Sequence, residues 1–140
     1  MLITAGAIAG FSLKKNSESI ASPRDGIFLH VSSGYDNPQK AAMALTLAEK
    51  FTESHDVMVF FDIKGVEILK KDAEPISMEH YTSSNEALTN LLAKGAKIAA
   101  CPMCLKKAGI KENELLEGIK VARKEMFFDF TEGRILSMDY

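Results

Sequence analysis

The chain has 140 residues, 46% hydrophobic and 26% charged, which suits a single globular domain with one core. A net charge of -2 and a pI near 5.9 give no basic footprint for nucleic acid, and no apolar run is long enough to span a bilayer. Two cysteines in the whole chain exclude a disulfide framework, so packing must hold the core.

Residues 1–25 stand apart as a leader. Met1 to Leu13 is small, apolar and uncharged, Lys14 and Lys15 follow, and Ser19-Ile20-Ala21 makes a small-x-Ala triplet before Pro23. This has the grammar of an export signal's apolar region and cleavage site without a positive segment ahead of it. The run is similar to the middle of a twin-arginine signal. It reads equally as a packing arm, so a periplasmic and a cytoplasmic location both stay open. On either reading the folded domain spans 26–140.

Gly26 to Ser32 is apolar and β-prone throughout, as in a strand buried on both faces of a parallel sheet. Ser33 to Asp36 form a loop. Asn37 and Pro38 then supply an N-cap and a first helical residue for an amphipathic helix to about Thr52. Asp56 to Phe61 is a second strand, Ile63 to Lys70 a short helix, and Lys71 to Ser84 a long connection holding Pro75. A helix over Asn85 to Lys94, capped by Ser84 and ended by Gly95, leads to a third strand, Lys97 to Ala100. Beyond the cysteines, Glu112 to Lys124 carries Leu115, Leu116, Ile119 and Ala122 along a helical stripe, against which Gly118 counts by about 1 kcal/mol. Glu125 to Phe130 and Ile135 to Tyr140 read as fourth and fifth strands joined by a turn. This alternation predicts a three-layer α/β sandwich, with a mostly parallel five-stranded sheet and helices on both faces. Ligands and chemistry gather beyond the carboxyl ends of such strands.

Cys101-Pro102-Met103-Cys104 stands at that rim, where the third strand hands over to a helical turn stopped by Gly109. The thiolate is the nucleophile, and a free cysteine of pKa about 8.5 is only about 3% ionised at pH 7. Backbone N–H groups at a helix start favour the anion. Cys101 sits at the N-cap, Pro102 takes the position needing no donor, and Cys104 follows one turn later. Such a pair can cycle between dithiol and disulfide, or one sulfur can resolve an adduct on the other.

Cys-Pro-x-Cys is at home in thioredoxins, but there it comes early and a later proline faces it. Here the prolines are Pro23, Pro38, Pro75 and Pro102, and none follows the motif. A structural zinc needs four protein ligands, and two cysteines with the scattered His30, His55 and His80 do not supply them by spacing, so no metal or cofactor is expected. His30, on the first strand, reads as a hydrogen-bonded core or rim histidine with proton handling open to it. Tyr35 and Asp36 can line the same cleft. Met103 can shape access to the sulfur; with Met43, Met58 and Met78 it also reads as core filler. Lys106 and Lys107 read as a solvated face whose potential would help hold a thiolate.

Asp36-Asn-Pro-Gln-Lys-Ala-Ala42, the run Gly95 to Ile110 around the cysteines, and Glu117-Gly-Ile-Lys-Val-Ala122 together resemble the DsrE/DsrF-like family over Gly26 to Tyr140. The resemblance implies a small α/β sandwich assembled into trimers or hexamers. It also implies, from the sulfur-relay members, a persulfide on the strand-end cysteine, whose position Cys101 matches. Cys104 is present in only some branches and receives no role from it. The expected function is sulfur handling of a sulfurtransferase or persulfide-carrier kind, with donor and acceptor proteins or small thiols as partners. A dithiol redox protein and a non-catalytic oligomeric binding module are the alternatives.

Overall fold

The computed structural model describes residues 21–140; residues 1–20, most of the expected leader, lie outside them. Five strands form one sheet: β1 (Gly26–Val31), β2 (Asp56–Phe61), β3 (Lys97–Ala100), β4 (Lys120–Val121) and β5 (Ile135–Asp139). Their order is β4-β3-β2-β1-β5, and every pairing is parallel. The sequence expectation of a mostly parallel α/β sheet is met.

Period-two alternation splits the sheet into two unlike faces. Ile27, Leu29 and Val31 line up in register with Val57, Val59 and Phe61, and these in turn with Ile98 and Ala100. All eight belong to the buried core, covered by α1 (Pro38–Phe51) and α2 (Ser84–Ala93). Asn37 caps α1 as its type predicts, its side chain accepting the Lys40 N–H at 3.3 Å. The small Ala41, Ala44 and Ala48 let that helix lie close to the strands.

The opposite face carries Phe28, His30, Met58, Phe60 and Ala99, and among the described residues its helical cover is the single turn α4 (Met126–Asp129). Phe127 of α4 packs on Phe28 and Phe60 with ring centroids 5.5 and 5.0 Å away. Helices thus lie on both faces, very unequally.

Three boundaries differ from expectation. Ser84 is the first residue of α2, not its cap; buried, its hydroxyl accepts the Ile76 N–H at 2.9 Å and pins the long connection to the helix. The segment expected as a helix over Glu112 to Lys124 is a short 3-10 turn, Glu112–Glu114, followed by a loop and β4. Gly118 there adopts φ +99°, which ends any helix, yet Leu115 and Ile119 are buried as their hydrophobicity requires. The expected fourth strand, Glu125 to Phe130, is α4: its aromatics pack onto the sheet instead of joining it.

Candidate active site

Four strand ends converge on one rim. Continuing the alternation one step past β2 and β3 puts Asp62 and Cys101 in phase with Phe60 and Ala99, on the face that bears His30. Asp139 of β5 pairs in register with His30 and joins them. Topology alone thus assembles a histidine, two carboxylates and a thiol.

Cys101 is fixed by its backbone. Its N–H donates to the Phe61 carbonyl at 2.8 Å, and its own carbonyl accepts the Leu105 N–H at 3.0 Å, opening α3 (Pro102–Ala108). Pro102 fills the first helical position, and Gly109 at φ +70° closes the helix in the left-handed conformation. Cys101 is buried and Cys104 half-buried; both are free thiols. The two thiols are neighbours, Cys101 at the N-cap of α3 and Cys104 in its first turn. Burial, the neighbouring Cys101 thiol and the nearby charge of Asp62 push the Cys104 thiol above its ordinary value near 9.0, offset in part by a hydrogen bond from the Ile63 backbone. Ile63 delivers that bond from φ +43°, a conformation that a β-branched residue rarely adopts.

His30 stands between two carboxylates. Its Nδ1 is 2.9 Å from Asp139 Oδ1, and its Nε2 is 2.8 Å from Asp62 Oδ2, the latter an ionic approach off the hydrogen-bond line. Burial pulls the pKa of the ring down most strongly of any single cause. The close approach of Asp62, the hydrogen bond with Asp139 and the charges of both carboxylates together outweigh it, so the net movement is upward from 6.5. Asp62 Oδ1 is buried and accepts no hydrogen bond from the described residues. Asp62 thus couples the histidine to the thiol pair.

The remaining expected residues are spread around this centre. The Tyr35 hydroxyl donates to the Glu74 carbonyl at 2.7 Å, and Asp36 accepts the Gly34 N–H at 2.8 Å, so both are engaged in loop structure. Pro102 is exposed, and Met103, 78% exposed, is no part of the core, unlike the fully buried Met58. Asp62 and Asp139 belong to no local sequence motif. The available signal was positional: a carboxylate closing or following a strand in the alternation phase of His30.

A cavity of about 300 Å³ opens beside Cys104, lined by Ile63, Lys64, Glu67, Cys104, Lys107 and Ala108. Among the described residues no three or more His, Cys, Asp or Glu side chains are grouped to share a metal ion, and no helix is long and apolar enough to cross a membrane.

Comparison with known proteins agrees with this architecture. The chain is 34% identical over 85 residues to the uncharacterised protein MJ0989 of Methanocaldococcus jannaschii, covering 60% of this chain and 72% of that one. It is 29% identical over 99 residues to the uncharacterised protein MK0008 of Methanopyrus kandleri, covering 70% and 79%. Among solved structures, the YchN protein of E. coli superposes with a TM-score of 0.60 at 17% identity, covering 82% of this chain and 99% of that one. MTH1491 of Methanobacterium thermoautotrophicum gives a TM-score of 0.55 at 17% identity, with the same coverage. The sequence profile of the DsrE/DsrF-like family matches residues 25–131, and the chain belongs to that family.

Proposed function

We propose that this protein carries sulfane sulfur as a persulfide on Cys101 and passes it to a partner. The observation that supports the reading is the placement of a buried thiol at a strand end with a second thiol one helical turn on, in a family associated with sulfur relay. In loading, the Cys101 thiolate attacks the terminal sulfur of a donor R–S–SH. The donor's S–S bond breaks, R–S⁻ departs, and Cys101–S–SH forms. In release, either an acceptor thiolate takes the terminal sulfur, or the Cys104 thiolate attacks the inner sulfur, expelling HS⁻ and leaving a Cys101–Cys104 disulfide.

The raised pKa of Cys104 suits this sequence of events. A thiol that stays protonated attacks slowly, so the loaded persulfide is not discharged at once. A persulfide-specific tag on the purified protein tests the reading. The wild type should retain the tag for longer at pH 7 than at pH 9, and Cys104→Ala should load normally and release slowly at both. Loss of loading in Cys104→Ala would reverse the assigned roles.

The homo-oligomer belongs to the same proposal. Phe128, 70% exposed, follows Phe127 on α4, and Phe127 packs with the half-buried Phe28 and Phe60; a neighbouring subunit docked over Phe128 would exclude water from it. Light scattering should give a trimer or hexamer that Phe128→Asp weakens. A monomer in the wild type would remove this part of the reading.

A further inference from the structure

The cavity between α3 and the 3-10 helix Gly65–Leu69 is not explained by sulfur storage on Cys101, because Cys101 does not line it. Its one sulfur is Cys104. Lys107, three residues further along α3, lies on the same helix face. Lys64 is engaged by Glu67 at 3.0 Å, whereas Lys107 has no carboxylate partner among the described residues. Ile63 and Ala108 complete an apolar wall. A volume of about 300 Å³ suits an amino-acid-sized molecule. The site therefore offers a cation for an anionic group, an apolar patch for a short carbon skeleton, and a sulfur.

We propose that this cavity binds a small thiol bearing a carboxylate, which reduces the Cys101–Cys104 disulfide by attacking Cys104. This rests on the carrier reading for the origin of the disulfide, but not for its chemistry. Thiol–disulfide exchange passes through attack on one sulfur with the other leaving. The cavity opens on the Cys104 side, so the small thiolate R–S⁻ meets Cys104 first and Cys101 is the leaving sulfur. The Cys101–Cys104 bond breaks, a Cys104–S–S–R bond forms, and the electron pair departs with the Cys101 thiolate. A second R–S⁻ then attacks the R sulfur, giving R–S–S–R and the Cys104 thiolate. Two small thiols are oxidised to one disulfide, and the protein's disulfide is reduced to two thiols.

The mixed disulfide can be approached from its other side. In the Cys101→Ser variant, which cannot close the internal disulfide, Cys104 is exposed to L-cystine, which carries carboxylates, or to cystamine, which lacks them. Adduct formation is followed by intact mass and peptide mapping. Cystine should modify Cys104. Adding Lys107→Gln should slow cystine by about threefold, as expected for one exposed charge, and leave cystamine no slower. Lys106→Gln removes the same charge from a side chain outside the cavity and should leave the cystine-to-cystamine ratio unchanged.

An unaltered ratio in Lys107→Gln, or equal effects of the two lysines, would overturn the proposal, the second by reducing it to net charge. These results are separable from the carrier reading. A wild type that never gains sulfur on Cys101 removes the carrier and leaves the labelling pattern intact, whereas normal loading with an unaltered ratio removes the cavity proposal alone.

Discussion

His30 Nε2 stands 2.8 Å from Asp62 Oδ2, and the same carboxylate bears on the Cys104 thiol through its charge. One side chain, just past the end of β2, therefore contacts the histidine and acts on the Cys104 thiol through its charge. The consequences run through pH.

Stability should depend on the protonation of His30. Its folded pKa is raised above the ordinary 6.5, so the folded state binds the proton more tightly than the unfolded state does. The contribution is fully present below 6.5 and is lost as pH rises through the folded value. Urea unfolding of the wild type and His30→Gln should differ most near pH 6, and the gap should shrink as pH climbs. A gap that widens with pH would contradict a proton held by His30 between Asp62 and Asp139.

Cys104 should be slow to alkylate at neutral pH. With its thiol pushed above about 9.0, the iodoacetamide rate at Cys104 in the wild type should still be climbing at pH 9. Asp62→Asn removes one of the charges that raise it and should speed the reaction at pH 8, by about twofold. A plateau below pH 8, or a slower rate in Asp62→Asn, would show that the carboxylate acts otherwise.

Gly65 ties the fold to the cavity wall. A Cβ there would run into the backbone carbonyl of Val31, the last residue of β1, and against the Phe61 ring. Gly65→Ala should therefore push the 3-10 helix off the strand ends and cost about 1–3 kcal/mol in urea unfolding. Because Ile63 and Lys64 immediately precede this helix, the same change should also alter Cys104 alkylation. Unchanged stability would mean that the close approach is dispensable.

The stretch from Gly26 to Ala100 is legible in the sequence because its signals agree. Asn37-Pro38 marks the start of α1, and the apolar runs of β1 to β3 are bounded by turn residues. The stretch from Glu112 to Phe130 misleads for a physical reason. Leu115 and Ile119 are hydrophobic because they are buried, not because they form a helix, and Gly118 at φ +99° lies between them. Phe127 is β-prone by type but is selected to cover Phe28 and Phe60. The cysteine pair was visible as a motif. Its partners Asp62 and Asp139 come from other strands and have no local motif; only sheet register brings them to His30.

The central claim is that Cys101 holds the sulfur, and intact-mass spectrometry after exposure to a persulfide donor tests it most directly. The wild type and Cys104→Ala should each gain the mass of one sulfur, mapped to the Cys101 peptide, and Cys101→Ser should gain none. A wild type that stays at its reduced mass, or a Cys101→Ser variant that still gains the sulfur, would contradict the account.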